Sequence, residues 1–157
     1  MLIHVTDLRS LESIKRHGLV CPSRAAALGF SQVFGSVGSN RDVVQLLDFT
    51  GASRKVVVDN PEALIDGARH CGGSVSKSEL RVLVLDDAVR SDRAFVPHNS
   101  VVHRCRASHG VDPRFRYVAW FETWFEDTLG WARVREDVTV KRLFELVSMA
   151  PSRTGDD

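Results

Sequence analysis

The sequence lacks a long apolar run, an excess of charge and a secretion signal. No stretch among its 157 residues approaches the ~18 consecutive apolar residues that a membrane-spanning helix needs. The amino terminus has no basic flank followed by an apolar core, so no signal peptide is predicted. The net charge of +1 does not favour a strongly basic nucleic-acid module, although a local basic patch is compatible with it. These absences predict an intracellular, cytoplasmic protein.

Cysteine is also scarce. The three cysteines are Cys21, Cys71 and Cys105. An odd number at such wide spacing indicates neither a disulfide scaffold nor a CxxC metal site. A histidine lies near each of them, but the paired spacing of known zinc sites is missing, so we predict no bound metal.

Several nucleotide-binding and hydrolytic motifs are absent as well. The chain contains no GxxxxGK[ST] phosphate loop, no GxGxxG, no HExxH and no GxSxG. Each motif supplies groups that its chemistry requires, such as main-chain amides around a phosphate or a nucleophile at a sharp turn. A nucleotide-dependent kinase, a Rossmann dehydrogenase, a zincin and an α/β-hydrolase are therefore disfavoured.

What is present is ordinary for a globular domain, with 43% hydrophobic and 26% charged residues. This length and composition predict a single domain over residues 1–150, followed by a flexible tail at 151–157. Helices and strands are interspersed without strict βαβ alternation. The predicted fold class is therefore α+β, with a split or curved mixed β-sheet and flanking helices.

The hydropathy pattern predicts the individual elements. Residues 2–5 form a strand, and Thr6 or Asp7 then caps a helix that ends at Gly18. Further strands are predicted at 54–58, at 79–87, near the start of 93–106 and over 138–151. Further helices are predicted in segment 40–49, capped by Asn40, and at 60–70 and 112–129, with shorter helical turns within 23–30 and from Asn99.

The first strand contains a polar pair. His4 and Thr6 lie two residues apart, so they point to the same face of the strand. A histidine at a sheet edge and a threonine capping the next helix explain this pattern without any ligand. Alternatively, an imidazole and a hydroxyl that project into a groove suit a polar ligand such as a ribose, because a neutral imidazole both donates and accepts hydrogen bonds.

Three segments resemble the ADP-ribosyltransferase superfamily, and most closely the DarT-type nucleic-acid ADP-ribosyltransferase toxins. The first is "HVTDLRSLESIKRHGL", with its H-x-T strand, short helix and Gly-Leu. The second is "LRVLVLDDAVRSDRAFVPHNSVV", a strand and loop with an asparagine-containing turn. The third is "RLFELVSM", a late apolar run that contains a glutamate. The resemblance implies an NAD-binding cleft and NAD as co-substrate.

The resemblance also implies roles for individual residues. His4 and Thr6 would bind the ribose on the nicotinamide side of NAD, and Glu145 would be the catalytic carboxylate. If 138–151 is a strand, Glu145 shares a face with Leu143, which suggests a half-buried position. An outward residue on an edge strand is the alternative explanation for Glu145, and Glu122 is the reserve candidate.

The same resemblance implies an arginine on the NAD diphosphate, which an arginine fork matches geometrically. Arg41 and Arg24 are the candidates, and Arg41 is preferred because it follows the glycine-rich loop "GSVGSN". Asn99 would shape the nicotinamide pocket or a turn.

A basic and aromatic stretch suggests the acceptor of the ADP-ribose. The basic residues are Arg104, Arg106, Arg114 and Arg116, and the aromatic residues are Phe115, Tyr117, Trp120, Phe121, Trp124 and Phe125. Such a combination suits single-stranded DNA or RNA, although core packing explains one aromatic face equally well.

The resulting expectation is an NAD-dependent transferase that modifies a nucleic-acid base, as a DarT-like toxin or phage-defence effector with an antitoxin partner. A catalytically degenerate nucleotide-binding, nucleic-acid-binding or inhibitor protein is one alternative, and a protein-directed ADP-ribosyltransferase is another. An NAD glycohydrolase would use the same cleft with water as the acceptor.

Overall fold

The computed structural model describes residues 1–30, 42–48, 79–103, 118–126 and 128–149, with the main chain alone at 97–103, 118–124 and 148. Predictions at 54–58 and 60–70, the expected loop before Arg41 and the predicted tail lie outside these ranges.

The described residues form eight strands and three α-helices. The strands are β1 (Leu2–Asp7), β2 (Leu19–Val20), β3 (Val43–Asp48), β4 (Leu80–Leu85), β5 (Phe95–His103), β6 (Val118–Glu126), β7 (Thr128–Leu129) and β8 (Val134–Thr139). The helices are α1 (Leu11–His17), α2 (Pro22–Ala27) and α3 (Val140–Met149). Two short 3₁₀ helices span Asp87–Ser91 and Trp131–Arg133. No described helix is long and apolar enough to cross a membrane.

Six strands form one sheet in the order β5-β6-β3-β1-β4-β8, and β2 pairs with β7 in a second, two-stranded sheet. Each pairing between neighbouring described strands is antiparallel. The α+β class is confirmed, but these pairings make the sheet antiparallel where a mixed sheet was predicted. The difference has a topological reason, because antiparallel neighbours do not need the long βαβ crossovers that a parallel pair requires.

The sheet is buried on both faces. On one face, the α3 face, Ile3, Val5 and Val82 pack with Leu143 and Val147 of α3. On the other, the α1 face, Leu2, Leu46 and Leu83 pack with Leu11 of α1 and Val89 of the first 3₁₀ helix. Because β1 and β4 are covered on both sides, their sequences are nearly continuous apolar runs. The strand predictions at 2–5 and 79–87 are confirmed.

The amino-terminal helix begins one turn later than predicted. Its N-cap is Ser10, and neither Thr6 nor Asp7 takes that position. Asp7 instead closes the turn before the helix, where its carboxylate accepts a hydrogen bond from the Ser10 amide at 2.6 Å. Gly18 ends the helix as predicted, with φ of +80° and its N–H donating to Ile14 at 2.8 Å. The short helix predicted in 23–30 is also present as α2.

Four other predictions are wrong. Residues 43–48, expected in a helix capped by Asn40, form β3. Residues 95–103 form one nine-residue strand instead of a short strand, a proline turn and a helix from Asn99. Within the predicted helix 112–129, residues 118–126 form β6. The predicted strand 138–151 is β8 up to Thr139 and then helix α3 up to Met149.

The reason for the last two errors is specific. Aromatic and β-branched residues favour strands, and β6 is held between β3 and β5 by hydrogen bonds on both sides. In α3, Val140, Leu143 and Val147 are buried at the spacing of one helical face. The hydroxyl of Thr139 accepts a hydrogen bond from the Arg142 amide at 3.2 Å, as an N-capping side chain does.

Candidate functional site

The candidate site lies where the central strands separate. β1 pairs with β4 over six residues, but with β3 only through Leu2↔Asp48 and Ile3↔Leu47. From His4 onward the described parts of β1 and β3 are no longer paired. At that point the sheet divides into a β5-β6-β3 half and a β1-β4-β8 half.

His4 bridges the division. Its Nδ1 lies 2.9 Å from the main-chain carbonyl oxygen of Gln45 on β3. A carbonyl oxygen only accepts hydrogen bonds, so Nδ1 carries the proton and donates it. Burial lowers the pKa of His4 below its usual 6.5, although the hydrogen bond to Gln45 opposes the shift. The ring is therefore neutral near pH 7.

This protonation state defines what His4 offers a ligand. With the proton on Nδ1, the Nε2 atom carries a lone pair and acts as an acceptor. None of the described residues forms a hydrogen bond with Nε2. Such an atom, beside the point where β1 and β3 stop pairing, is suited to accept a hydrogen bond from a sugar hydroxyl.

Thr6 and a cross-strand ion pair extend the site along the same face. Thr6 is buried and lies opposite Arg81 of β4. Arg81 in turn contacts Asp137 of β8, with 2.7 Å between Arg81 Nε and Asp137 Oδ1. His4, Thr6, Arg81 and Asp137 are here called the polar corner, because the rest of the α1 face in β1, β3 and β4 is mainly apolar.

Sequence reasoning found His4 and Thr6 but missed Arg81 and Asp137. A signal for Arg81 was present, because it is the single charged residue within the apolar run "LRVLVL". A charge inside a buried strand requires a partner. That the partner is Asp137 depends on the pairing of β4 with β8, which the sequence does not reveal.

Glu145 does not lie with the polar corner. It is on helix α3 and not on a strand, and α3 packs through Leu143 and Val147 against the face opposite His4. Its side chain is 47% exposed and accepts a 2.7 Å hydrogen bond from Arg142, one turn away. The sheet therefore separates Glu145 from His4.

Glu122 and Asn99 lie on neighbouring strands. Glu122 of β6 is opposite Leu47 of β3, and Leu47 is opposite Ile3. The register between β5 and β6 shifts between Pro97 and Ser100, so that Asn99 falls within the irregularity beside Glu122. Asn99 is thus inside a strand, where a turn was predicted. A bulge of this kind often redirects side chains near a functional site.

Of the two arginines predicted to bind the diphosphate, the structure describes Arg24 alone. Arg41 lies outside the described residues. Arg24 is exposed on α2 and already has an interaction partner. The basic residues at 104–116 also lie outside the described ranges.

Among the described residues, no three His, Cys, Asp or Glu side chains lie close enough together to hold a metal ion. Cys21 is buried, and its sulfur lies 3.3 Å from the hydroxyl of Ser23.

Comparisons with known proteins add no assignment. No family model, no curated protein and no solved structure matches the chain.

Proposed function

We propose that this protein is an NAD-dependent ADP-ribosyltransferase that modifies a nucleic-acid base and binds NAD at the gap beside His4. An ADP-ribosyltransferase-like sheet with an NAD cleft is part of the proposal. The observation that carries it is the neutral His4, which bridges the separating strands through Nδ1 and has Nε2 as an acceptor. The resemblance of "HVTDLRSLESIKRHGL" to DarT-type enzymes supports the same ligand.

The proposed reaction breaks the bond between the ribose C1′ and the nicotinamide nitrogen. Nicotinamide leaves with the bonding electrons, and positive charge develops on the ribose. His4 Nε2 accepts a hydrogen bond from a ribose hydroxyl and orients the sugar. A carboxylate stabilises the developing charge, and the same group takes the proton from the acceptor nitrogen or oxygen as it bonds to C1′.

Neither candidate carboxylate shares the face of His4. Glu122 is opposite Leu47, which packs with Ile3 on the α3 face, and its main chain lies two strands from β1, roughly 10 Å at the usual spacing of paired strands. Glu145 is also on the opposite side of the sheet from His4 and is paired with Arg142. The experiment therefore compares Glu122 and Glu145 side by side as candidates for the carboxylate.

The test uses NAD labelled in its adenosine half, incubated separately with DNA, RNA and protein. Nicotinamide release and label transfer are measured for the wild type, Glu122→Gln, Glu145→Gln and His4→Asn. We expect the variant that removes the catalytic carboxylate to lose about 100-fold or more of the rate of nicotinamide release and the other glutamate variant to stay within about twofold of the wild type. Circular dichroism and thermal melting establish that each variant is folded.

The outcomes separate the possible activities. Label on protein but not on nucleic acid indicates a protein-directed enzyme, and nicotinamide release without label transfer indicates a glycohydrolase. A folded wild type that releases no nicotinamide under any condition overturns the transferase proposal. Full activity in both folded glutamate variants overturns the assignment of the carboxylate to either residue.

A second candidate function is nucleotide or nucleic-acid binding without catalysis. The position of Glu145 favours it, because the sheet lies between that carboxylate and His4. Calorimetry with ADP-ribose and with single-stranded oligonucleotides tests this candidate. Binding that His4→Asn weakens, with no nicotinamide release from NAD, is the expected result for a binding protein.

A further inference from the structure

Arg81 has an unusual position for a charged residue. It lies on β4, an interior strand of the sheet, between Thr6 on β1 and Thr139 on β8. Its side chain is 23% exposed and that of Asp137 is 20% exposed. The pair is therefore largely covered, but solvent still reaches it.

Two contacts from one residue hold the guanidinium. Nε donates to the Asp137 carboxylate at 2.7 Å, and Nη2 donates to the Asp137 main-chain carbonyl at 3.2 Å. A guanidinium has five N–H donors, so these contacts leave three of the five for other acceptors. None of the described residues accepts a hydrogen bond from those three.

The unused donors suit a phosphate group. An arginine presents a planar fork that matches phosphate oxygens, and charge-assisted hydrogen bonds of this kind are among the strong ones. Asp137 restricts the orientation of the guanidinium before a ligand arrives, which lowers the conformational entropy lost on binding. Asp137 is thus a positioning residue, and Arg81 is the residue that would contact the ligand.

The spacing within the polar corner links this contact to His4. Residues two apart on a strand are separated by roughly 6.8 Å, and neighbouring strands by about 4.8 Å. The Cα atoms of His4 and Arg81 are then roughly 8 Å apart, diagonally across β1 and β4 on one face. A single ligand carrying both a ribose hydroxyl and a phosphate spans such a separation once the two side chains are included.

We infer that Arg81, oriented by Asp137, binds a phosphate of the same ligand whose ribose contacts His4. The inference rests on the proposed function and gives the diphosphate of NAD a contact on β4. If it is correct, a change at Arg81 weakens the binding of a ligand with a phosphate but not that of a ligand with the ribose alone.

The experiment compares two probes by isothermal titration calorimetry. ADP-ribose carries the diphosphate, and nicotinamide riboside carries the ribose without any phosphate. The proteins are the wild type, Arg81→Gln, Arg81→Lys and Asp137→Asn. Arg135→Gln is the matched control, because Arg135 is an arginine on β8 that is 52% exposed and paired with Glu136.

We expect Arg81→Gln to weaken ADP-ribose binding by tenfold or more and to leave nicotinamide riboside binding within about twofold of the wild type. Arg81→Lys retains the charge without the planar fork, and its affinity for ADP-ribose is expected to fall by a smaller factor. If thermal melting shows that Arg81→Gln is unfolded, Arg81→Lys replaces it in the comparison. Asp137→Asn is expected to weaken the binding of ADP-ribose but not that of nicotinamide riboside. Arg135→Gln is expected to weaken the binding of neither probe.

Other results would overturn the inference or the proposed function. If the wild type binds ADP-ribose and the folded Arg81 variants bind it equally well, the inference fails and the proposed function stands. Equal weakening of both probes also overturns it, since that result indicates a general structural role for Arg81. A wild type that binds neither probe overturns the proposed function, and this inference with it.

Discussion

The imidazole of His4 donates a hydrogen bond to the main-chain carbonyl oxygen of Gln45 at 2.9 Å, at the point where β1 and β3 stop pairing. The side chain thus replaces part of a main-chain ladder in the middle of a sheet. Because this hydrogen bond joins β1 to β3 beyond their last paired residues, His4 has a structural role as well as the proposed binding role.

This contact predicts a pH dependence of stability. Burial lowers the pKa of His4 from its usual 6.5, so the unfolded chain binds the proton more readily than the folded protein does. The contribution of His4 is complete above about pH 6.5, and it decreases as the pH falls from there toward the lower folded-state pKa. We expect the free energy of unfolding of the wild type to fall relative to that of His4→Asn between pH 7.5 and pH 5.5, because asparagine does not titrate.

Urea unfolding of both proteins at the two pH values measures this effect. His4→Asn is the suitable variant because its amide nitrogen reaches a position close to that of Nδ1. A difference between the two proteins that stays constant from pH 7.5 to pH 5.5 contradicts the lowered pKa.

A second prediction concerns the pair of Asp48 and Arg90. Asp48, whose side chain is 8% exposed, receives two hydrogen bonds from the Arg90 guanidinium, one of them at 2.8 Å. Asp48→Asn removes the nearer of the two carboxylates beside Arg90, but Arg90 is 35% exposed and water screens part of the loss. We expect a destabilisation of about 2 kcal/mol, measured by chemical denaturation.

Asp87→Asn is the control for that prediction. Asp87 also approaches Arg90, but at 3.6 Å and with a side chain that is 69% exposed. Its removal is expected to cost less than about 0.5 kcal/mol. Equal losses in the two variants would show that charge alone, and not the buried bidentate contact, stabilises this region.

A third prediction compares two glycines with nearly the same φ. Gly18 has φ of +80°, and a Cβ placed there would lie 2.8 Å from the carbonyl oxygen of Leu129. Gly29 has φ of +78°, and a Cβ there would meet no atom within 4 Å. We expect Gly18→Ala to lower the free energy of unfolding by about 3 kcal/mol and Gly29→Ala to lower it by about 1 kcal/mol. Thermal melts of the two variants test whether the contact with Leu129 adds to the backbone strain.

A fourth prediction tests the helical assignment of 140–149. Leu143 is almost fully buried against the α3 face, whereas Met149 is 76% exposed. We expect Leu143→Ala to lower the free energy of unfolding by about 3 kcal/mol and Met149→Ala by less than about 0.5 kcal/mol. Glu145→Ala removes a half-exposed pair with Arg142 and is expected to cost less than about 0.5 kcal/mol. A large loss in Glu145→Ala would contradict its exposed position.

Several features of the fold followed from the sequence because their causes are local. An apolar run such as "LRVLVL" can be satisfied only as a buried element, and it forms β4. Gly18 follows a short amphipathic segment and adopts the positive φ that ends α1. The shared face of His4 and Thr6 follows from the two-residue repeat of a strand, and the described structure has both on the α1 face.

The errors arose where two periodicities were compatible with the same residues. In 118–126 the aromatic spacing matches one helical face, but hydrogen bonds from β3 and β5 on either side make this segment a strand. In 138–151 an apolar run broken by Lys141 and Arg142 was compatible with a strand. The spacing of Val140, Leu143 and Val147 instead forms a helix that covers the sheet.

The sequence by itself determined the polar pair, the helix stop and the buried strands, since each depends on residues within a few positions of one another. Only the tertiary structure decided which charged groups accompany His4. The pairing of β1, β4 and β8 puts Arg81 and Asp137 in the polar corner, and the packing of α3 puts Glu145 on the other face of the sheet. Strand register and the choice of face depend on contacts between distant segments, and a strand's own repeat carries no information about which segment lies beside it.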